Sequence, residues 1–291
     1  MRVHFCGTRG STPAPGSEFV RYGGHTSCVA LSVDADAAAS DPSPPTLLLD
    51  AGTGIRRVSA LLGRRPFAGT ILLTHLHWDH IQGLPFFESG DHPESCVTLR
   101  LPPQEDGADA ESVLARMMSP PLFPIRPGNL RGSWTFDVLP PDAFSDGGFP
   151  VGAFSVKASD VPHKGGRTVG YRVSDGRSTI AYIPDHCPTE MGPGPEGWGD
   201  YHASVLELAR DVDVLIHDAH LFPEEVAAQA SFGHAAADYA VGLGCRAGAR
   251  KVVLFHHRPD RTDDALDGLV ARFSGGPVPV CGAADGMELV L

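Results

Sequence analysis

The segment Thr74-His75-Leu76-His77-Trp78-Asp79-His80 constrains this chain more than any other. It sets three imidazoles and a carboxylate into positions 75–80, directly after the apolar run Thr70-Ile71-Leu72-Leu73. Imidazole nitrogen and carboxylate oxygen are ligands for first-row transition metals. Groups of this kind are costly to bury at a strand end without a partner. The density of one ligand type exceeds what a solvated polar loop needs, so the segment reads as part of a metal site. Ligand-type residues recur in the same setting. His163 comes after Phe154-Ser155-Val156-Lys157, Asp185 after Thr179-Ile180-Ala181-Tyr182-Ile183, and His256 after Lys251-Val252-Val253-Leu254-Phe255. A packed scaffold carries its functional loops just past such β-propensity runs.

The chain has 291 residues, enough to bury a sizeable core, and no linker between two cores is visible, so residues 1–291 are read as a single domain. No apolar run reaches the length of a membrane span. Met1-Arg2 leads straight into the strand Val3-His4-Phe5-Cys6, which is not the pattern of a signal peptide. Six cysteines (Cys6, Cys28, Cys96, Cys187, Cys245 and Cys281) lie scattered without a Cys-x-x-Cys pair. They read as reduced thiols, and the expected location is cytoplasmic. The net charge of −12 comes from 23 basic residues against 35 acidic ones. Polyanion binding needs Lys and Arg to neutralise phosphates, so a broad nucleic-acid surface is not favoured.

Strand-like runs fall at 2–6, 28–33, 46–50, 70–74, 97–101, 134–139, 153–159, 168–174, 178–183, 212–216, 251–255, 277–281 and 287–291. Helices are expected at 54–62, 108–118, 201–210, 235–247 and 262–273. Strands alternate with helices, but Gly176 also marks a hairpin turn between two strands. The stretch Asp34–Pro45 reads as a loop or hairpin tip, and the Pro- and Gly-rich stretches 102–133 and 186–200 as irregular covers near a site mouth.

The pattern His-x-His-x-Asp-His in residues 75–80 is the signature of the metallo-β-lactamase superfamily, which this chain resembles over nearly its whole length. The resemblance implies an α/β (α+β) fold, an αββα sandwich of two mixed β-sheets flanked by helices. It implies that His75, His77 and His163 hold one metal, that Asp79, His80 and His256 hold a second, and that Asp185 bridges both. The metals would be two divalent ions, zinc first, with manganese and iron tolerating the same ligands. His256 is preferred to its neighbour His257, because only one of two adjacent residues at a strand end faces the metals, and Pro259 follows as in the ribonuclease Z-like branch. The opening turn Gly7-Thr8-Arg9-Gly10-Ser11-Thr12-Pro13 and the segment Gly23-Gly24-His25-Thr26-Ser27-Cys28 are similar to that branch, where the turn sits beside the metals. Asp50, in Asp50-Ala51-Gly52-Thr53-Gly54, matches the aspartate that orients a ligand histidine. His234 stands where that branch has its general acid, although Ala235 follows it where the branch has Ser. Its partner carboxylate would be Asp218 or Asp79. His217 reads as a buried structural group, and His25 and His186 as possible pocket residues.

Two metals held by a bridging carboxylate make hydrolysis the natural reaction. A water between the metals is the nucleophile, Asp79 orients it as well as binding metal, and His234 protonates the leaving alkoxide. The chain departs from transfer-RNA processing enzymes at the arm that grips RNA. Only 21 residues separate His163 from Asp185, and two strands with a turn fill them. The expected partner is therefore a small-molecule phosphodiester such as a cyclic nucleotide. The alternatives are a ribonuclease Z-like endonuclease, which would need Arg126, Arg131, Lys164 and Arg167 to converge, and an ester, thioester or lactone hydrolase with a more apolar pocket. A metal-dependent sensor or oxidoreductase and a β-lactamase rank below these. A homodimer could add a basic surface from its second subunit.

Overall fold

The computed structural model describes residues 1–33 and 43–291, so most of the stretch 34–45 lies outside the described residues. The strands are β1 (Arg2–Gly7), β2 (Cys28–Ser32), β3 (Leu47–Leu49), β4 (Ala68–Leu72), β5 (Cys96–Leu101), β6 (Ser133–Val138), β7 (Phe149–Val151), β8 (Phe154–Asp160), β9 (Val169–Ser174), β10 (Thr179–Ile183), β11 (Val214–Asp218), β12 (Val252–Phe255), β13 (Val280–Gly282) and β14 (Glu288–Val290). The helices are α1 (Ile55–Leu61), α2 (Trp78–Ile81), α3 (Ala110–Ala115), α4 (Ala203–Ala209), α5 (Pro223–Gln229), α6 (Ala237–Ala247) and α7 (Asp263–Ala271). Thirteen expected strands are present within a few residues of their expected bounds. The short edge strand β7 and the helices α2 and α5 were not expected. α2 is a single turn begun by metal-type ligands, and α5 follows Pro223, which fits a helix's first position.

Two seven-stranded sheets run in the orders β14-β1-β2-β3-β4-β5-β6 and β13-β12-β11-β10-β9-β8-β7. Both are mixed. β3 to β6 pair in parallel in the first, β10 to β13 in the second, and the remaining pairs are antiparallel. Each sheet is covered on both faces, which is why the strands read as nearly continuous apolar runs. The two-residue repeat sorts them. Leu47 and Leu49 enter the core between the sheets with Phe5, Tyr171, Ile216 and Phe255. Leu48 enters the outer core under α1 and α3 with Ile55, Val58 and Leu114. Leu215 and Leu254 enter the other outer core under α4, α6 and α7 with Leu208, Leu243 and Leu266. Fully burying one such side chain contributes about 1.5–3 kcal/mol. The result is the αββα sandwich that the sequence led us to expect.

The parallel pairings have a consequence for function. β3, β4, β8, β10, β11 and β12 all end at the same edge of the sandwich, so the loops after them meet there. The turn after β1 closes that edge across both sheets. Arg9 bridges to Thr26 on one side and to His257 on the other, and Gly10 N–H donates to the His257 carbonyl at 2.9 Å while His257 N–H donates to the Thr8 carbonyl at 2.9 Å. The buried Arg9 guanidinium tightens the closure, donating to the carbonyls of Gly23 (2.7 Å), Arg258 (3.2 Å) and Arg261 (2.7 Å).

Asp285 supports this closure with a partly buried carboxylate, which accepts from Thr8 Oγ1 at 3.3 Å and from His25 N–H at 3.0 Å. Burial pushes its pKa up to about 6, against the hydrogen bond from His25 and the charges of Arg57 and Arg9. The folded chain thus holds the Asp285 proton to higher pH than the unfolded chain does. The associated stability is complete below the ordinary carboxylate value and is lost as pH rises through about 6. In Asp285→Asn the amide can donate to Thr8 Oγ1, whose hydroxyl donates to the Tyr22 carbonyl at 3.2 Å. We expect Asp285→Asn to gain about 1–2 kcal/mol on the parent between pH 4 and pH 7.5, measured as the difference in unfolding free energy. A difference that stays constant with pH would refute this.

Candidate metal centre

The carboxylate of Asp50 organises the centre from below. It is fully buried and sits just after β3, with a backbone φ of 62° that few residues other than glycine adopt. Its Oδ1 accepts from Thr74 N–H at 2.7 Å, and its Oδ2 from Tyr182 O–H at 2.9 Å and from His80 Nδ1 at 2.8 Å. With Nδ1 engaged by Asp50, His80 presents Nε2 to the site. His163 is oriented the same way: its Nδ1 donates to the Gly233 carbonyl at 2.7 Å, freeing Nε2.

Above Asp50 the donors converge in three sets. His75, His77, His163 and Asp185 form one, Asp79, His80 and His256 a second, and His220, His234 and His256 a third, the last two sharing His256, with the donor atoms of each set within 4.8 Å of one another. Asp185 faces the first two. Its Oδ2 lies 2.9 Å from His80 Nε2 and 3.3 Å from His256 Nε2, while Oδ1 lies 3.5 Å from His163 Nε2. The Oδ2 of Asp79 lies 3.0 Å from His256 Nε2 and accepts from Ser11 N–H at 2.7 Å. His256 is also held at a positive φ, 57°, and its ring rests on Gly10 so closely that an added Cβ there would lie 2.3 Å from ring atoms. The opening glycine turn does sit beside the site.

The donor set fits cations. His75 Nε2 and Asp185 Oδ2 are buried and make no aligned hydrogen bond, although each has polar neighbours. Groups that crowd together without bonding to one another aim at a shared point. Burial and the neighbouring His80 hold His75 well below the usual imidazole value, so it is a neutral donor. Burial opposes charge on Asp185 and Asp79 too, but His256 and His80 outweigh it for Asp185, and His80 and His256 for Asp79. Both carboxylates are anions at neutral pH.

His234 stands at the rim, after the left-handed Gly233 at φ 94°. Its Nδ1 lies 3.1 Å from Asp218 Oδ2 and 3.7 Å from Asp185 Oδ1. Of the two carboxylates considered as its partner, Asp218 occupies the place and Asp79 does not. Burial opposes the imidazolium, but Asp218 and Asp185 outweigh it and raise the His234 pKa above the ordinary value. Asp218 is itself fixed by Ala235 N–H at 3.2 Å, His186 N–H at 3.1 Å and His220 N–H at 2.9 Å.

Three histidines fall elsewhere than expected or had no role assigned. His25 does not line the metal pocket; it bonds Thr53 Oγ1 at 3.3 Å and lines a separate depression with Arg56 and Arg57. His186 does not line it either, since it lies fully buried with its Nδ1 3.1 Å from His217 Nε2, and both rings pack on Tyr239. His220 was given no role, yet it stacks on His234 with ring centroids 4.1 Å apart and donates from Nδ1 to the His256 carbonyl at 3.1 Å. Its position directly past β11, beside Asp218, was the available signal. His257 turns away, its Nε2 2.9 Å from the Ala283 carbonyl. Arg9, Ser11 and Tyr182 were also missed, because a backbone donor and contacts between distant strands leave no local pattern.

The metal pocket has a volume of ≈ 860 Å³ and is walled by Ser11, Leu76, Trp78, Phe232, His234 and Arg258 among others. Of the rim cations a nuclease would need, Arg131 is paired with Asp91 at 2.9 Å and Arg167 with Asp160 at 2.7 Å. Arg258 in the pocket wall is engaged by Asp260 at 2.8 Å and Gln229 at 2.8 Å. Among the described residues no helix is long and apolar enough to cross a membrane.

A family model described as "Beta-lactamase superfamily domain" matches residues 46–257. The chain is 24% identical to a ribonuclease Z of Haloarcula marismortui, covering 99% of this chain and 96% of that one, and 23% identical to a ribonuclease Z of Natronomonas pharaonis over 98% and 92%. In fold it is similar to the metallo-β-lactamase fold protein YhfI of Bacillus subtilis (TM-score 0.68, 17% identity, 99% and 98% covered) and to the short form of human tRNase Z (TM-score 0.63, 20% identity, 100% and 99% covered). It is also similar to a diphosphatase from the PhnP family (TM-score 0.61, 17% identity, 100% and 97% covered). Matched over most of its length, with imidazoles and carboxylates meeting at one edge of two mixed sheets, the chain belongs to the metallo-β-lactamase superfamily of metal-dependent hydrolases.

Proposed function

We propose that the chain is a dinuclear phosphodiesterase acting on small phosphodiesters, such as a cyclic nucleotide. The observation that carries this reading is the His234–Asp218 pair set beside Asp185, which places a proton donor next to a site for two cations. One cation would be held by His75, His77, His163 and Asp185, the other by Asp79, His80, His256 and Asp185. Zinc suits this histidine-rich set first. Bound there, the two ions would lower the pKa of water and polarise the phosphoryl group.

The chain's own residues do the rest. Asp79, fixed by Ser11 N–H, presents a carboxylate to orient the attacking water. Asp218 accepts from His234 Nδ1 and favours the protonated ring, so the imidazolium presents its Nε2–H toward the leaving oxygen. The stacked His220 ring limits the tilt of His234. Tyr182 and Thr74 hold Asp50, and Asp50 holds His80.

Preference for a small diester rests on what surrounds the centre. The 21 residues between His163 and Asp185 are spent on a glycine turn and the β9–β10 hairpin, which leaves no RNA-gripping arm. Arg131 and Arg167 are neutralised by aspartates. Ribonuclease activity is the second reading, favoured by the nearly full-length similarity to proteins named ribonuclease Z.

Metal analysis of loaded protein should give about two ions per chain, and Asp185→Ala about one or none. A parent that carries a single ion would end the dinuclear reading. His234→Ala should keep both ions yet lose roughly 10²-fold in rate on a diester with an alkoxide leaving group, and much less on a p-nitrophenyl ester. Equal losses on the two esters would remove His234 as the proton donor. A cyclic nucleotide should be cleaved with little dependence on salt, whereas structured RNA should bind weakly and with a steep salt slope. Tight cleavage of a precursor transfer RNA at its 3′ end would instead establish the nuclease reading.

A further inference from the structure

A second cavity of ≈ 630 Å³ opens beside the metal pocket, and Leu76 and Trp78 belong to the walls of both. Its remaining wall comes from the segment after β5, including Met117, Leu122 and Phe123, and from Phe86 after α2. Phe86 and Phe123 meet edge to face at 5.9 Å. Trp78, Phe86 and Leu122 are 74%, 58% and 74% exposed. Single exposed apolar side chains need no explanation, but three around one groove next to a reactive centre do.

We propose that this groove is the subsite for the ester group that stays on phosphorus, and that this group is an aromatic ring or a nucleobase. The proposal rests on the phosphodiesterase reading above. Two features choose the occupant. The one charged side chain lining the groove, Arg116, is tied to Asp106 at 2.6 Å, so nothing there attracts a second phosphate. The apolar lining with a solvent-exposed indole suits a flat, uncharged ring, which it can stack against. Gln82 and Gln104 also line the groove and each use one amide N–H, on Thr26 Oγ1 and the Pro102 carbonyl, leaving the amide oxygen and a second N–H to pair with the polar edge of a base. One feature chooses which ester group it is. His234, the proton donor for the leaving oxygen, lines the metal pocket and not the groove. A diester held at the metals therefore points its leaving group toward His234 and its other group past Trp78.

The test uses the metal-loaded enzyme and three diesters with the same p-nitrophenolate leaving group. The retained group is methyl, benzyl or thymidine-5′-yl. The benzyl and thymidine esters should show KM values at least about tenfold lower than the methyl ester, with kcat within about threefold. Leu122→Glu and Phe86→Ser, both at exposed positions, should erase that advantage and leave the methyl ester unchanged. A non-hydrolysable benzyl phosphonate should quench tryptophan fluorescence in the parent and not in Leu122→Glu, which reads occupancy without turnover. Equal KM values for the three esters would overturn the groove while leaving the phosphodiesterase reading intact. Failure to cleave any of them would overturn that reading and the proposal together. If Leu122→Glu turns a dimer into a monomer on a sizing column without changing the KM ratios, the groove is an interface between copies of the chain and the proposal is wrong.

Discussion

The centre depends on one buried carboxylate. Asp50 has no solvent contact, and its charge is tolerable only because Thr74, His80 and Tyr182 all donate to it. Those donors come from both halves of the sandwich. Thr74 and His80 follow β4 in the first sheet, and Tyr182 lies in β10 of the second. An unmatched buried anion would cost several kcal/mol, so the two sheets cannot slide against each other without exposing that cost. Asp185, two residues beyond the end of β10, is placed by the same registration that brings Tyr182 to Asp50. Outer support and donor geometry are thus one constraint, as is usual for metal sites.

From that base the site is a consequence of topology. Parallel neighbours end at one edge, and the loops that leave them carry the donors. The strained backbone at Asp50 and His256 lies at these exits, where the chain must turn sharply while keeping a side chain aimed inward. The turn after β1 then bridges the two sheets over the site, and Gly10 is small because the His256 ring occupies the space its side chain would need.

Much of this was legible in the sequence, for identifiable reasons. Apolar runs marked the strands, and ligand-type residues just past them marked the edge where they meet. Those two signals singled out His75, His77, Asp79, His80, His163, Asp185 and His256, the family resemblance supplied their expected metal roles, and the structure brings their donor atoms together. What remained hidden was pairing across long separations. Nothing local in Tyr182 tells that it reaches Asp50, 132 residues away. Nothing in Ser11 tells that its backbone N–H meets Asp79, and nothing in His220 that it stacks on His234. His25 and His186 erred the other way: each lies near a motif in sequence, but His25 bonds Thr53 and His186 is turned into the interior against His217 and Tyr239.

The closest approach between Asp79 and His256 joins residues 177 positions apart, and the first strand is completed by pairing with the last. On a ribosome this order matters. While the first sheet emerges, Asp79 and His80 are already synthesised, but Asp185 and His256 are not. A cation met at that stage would find half a coordination sphere and leave again. Closing so long a loop is also among the later and slower events of folding. Lasting metal capture would therefore wait until His256 has been made and the loop joining it to Asp79 has closed.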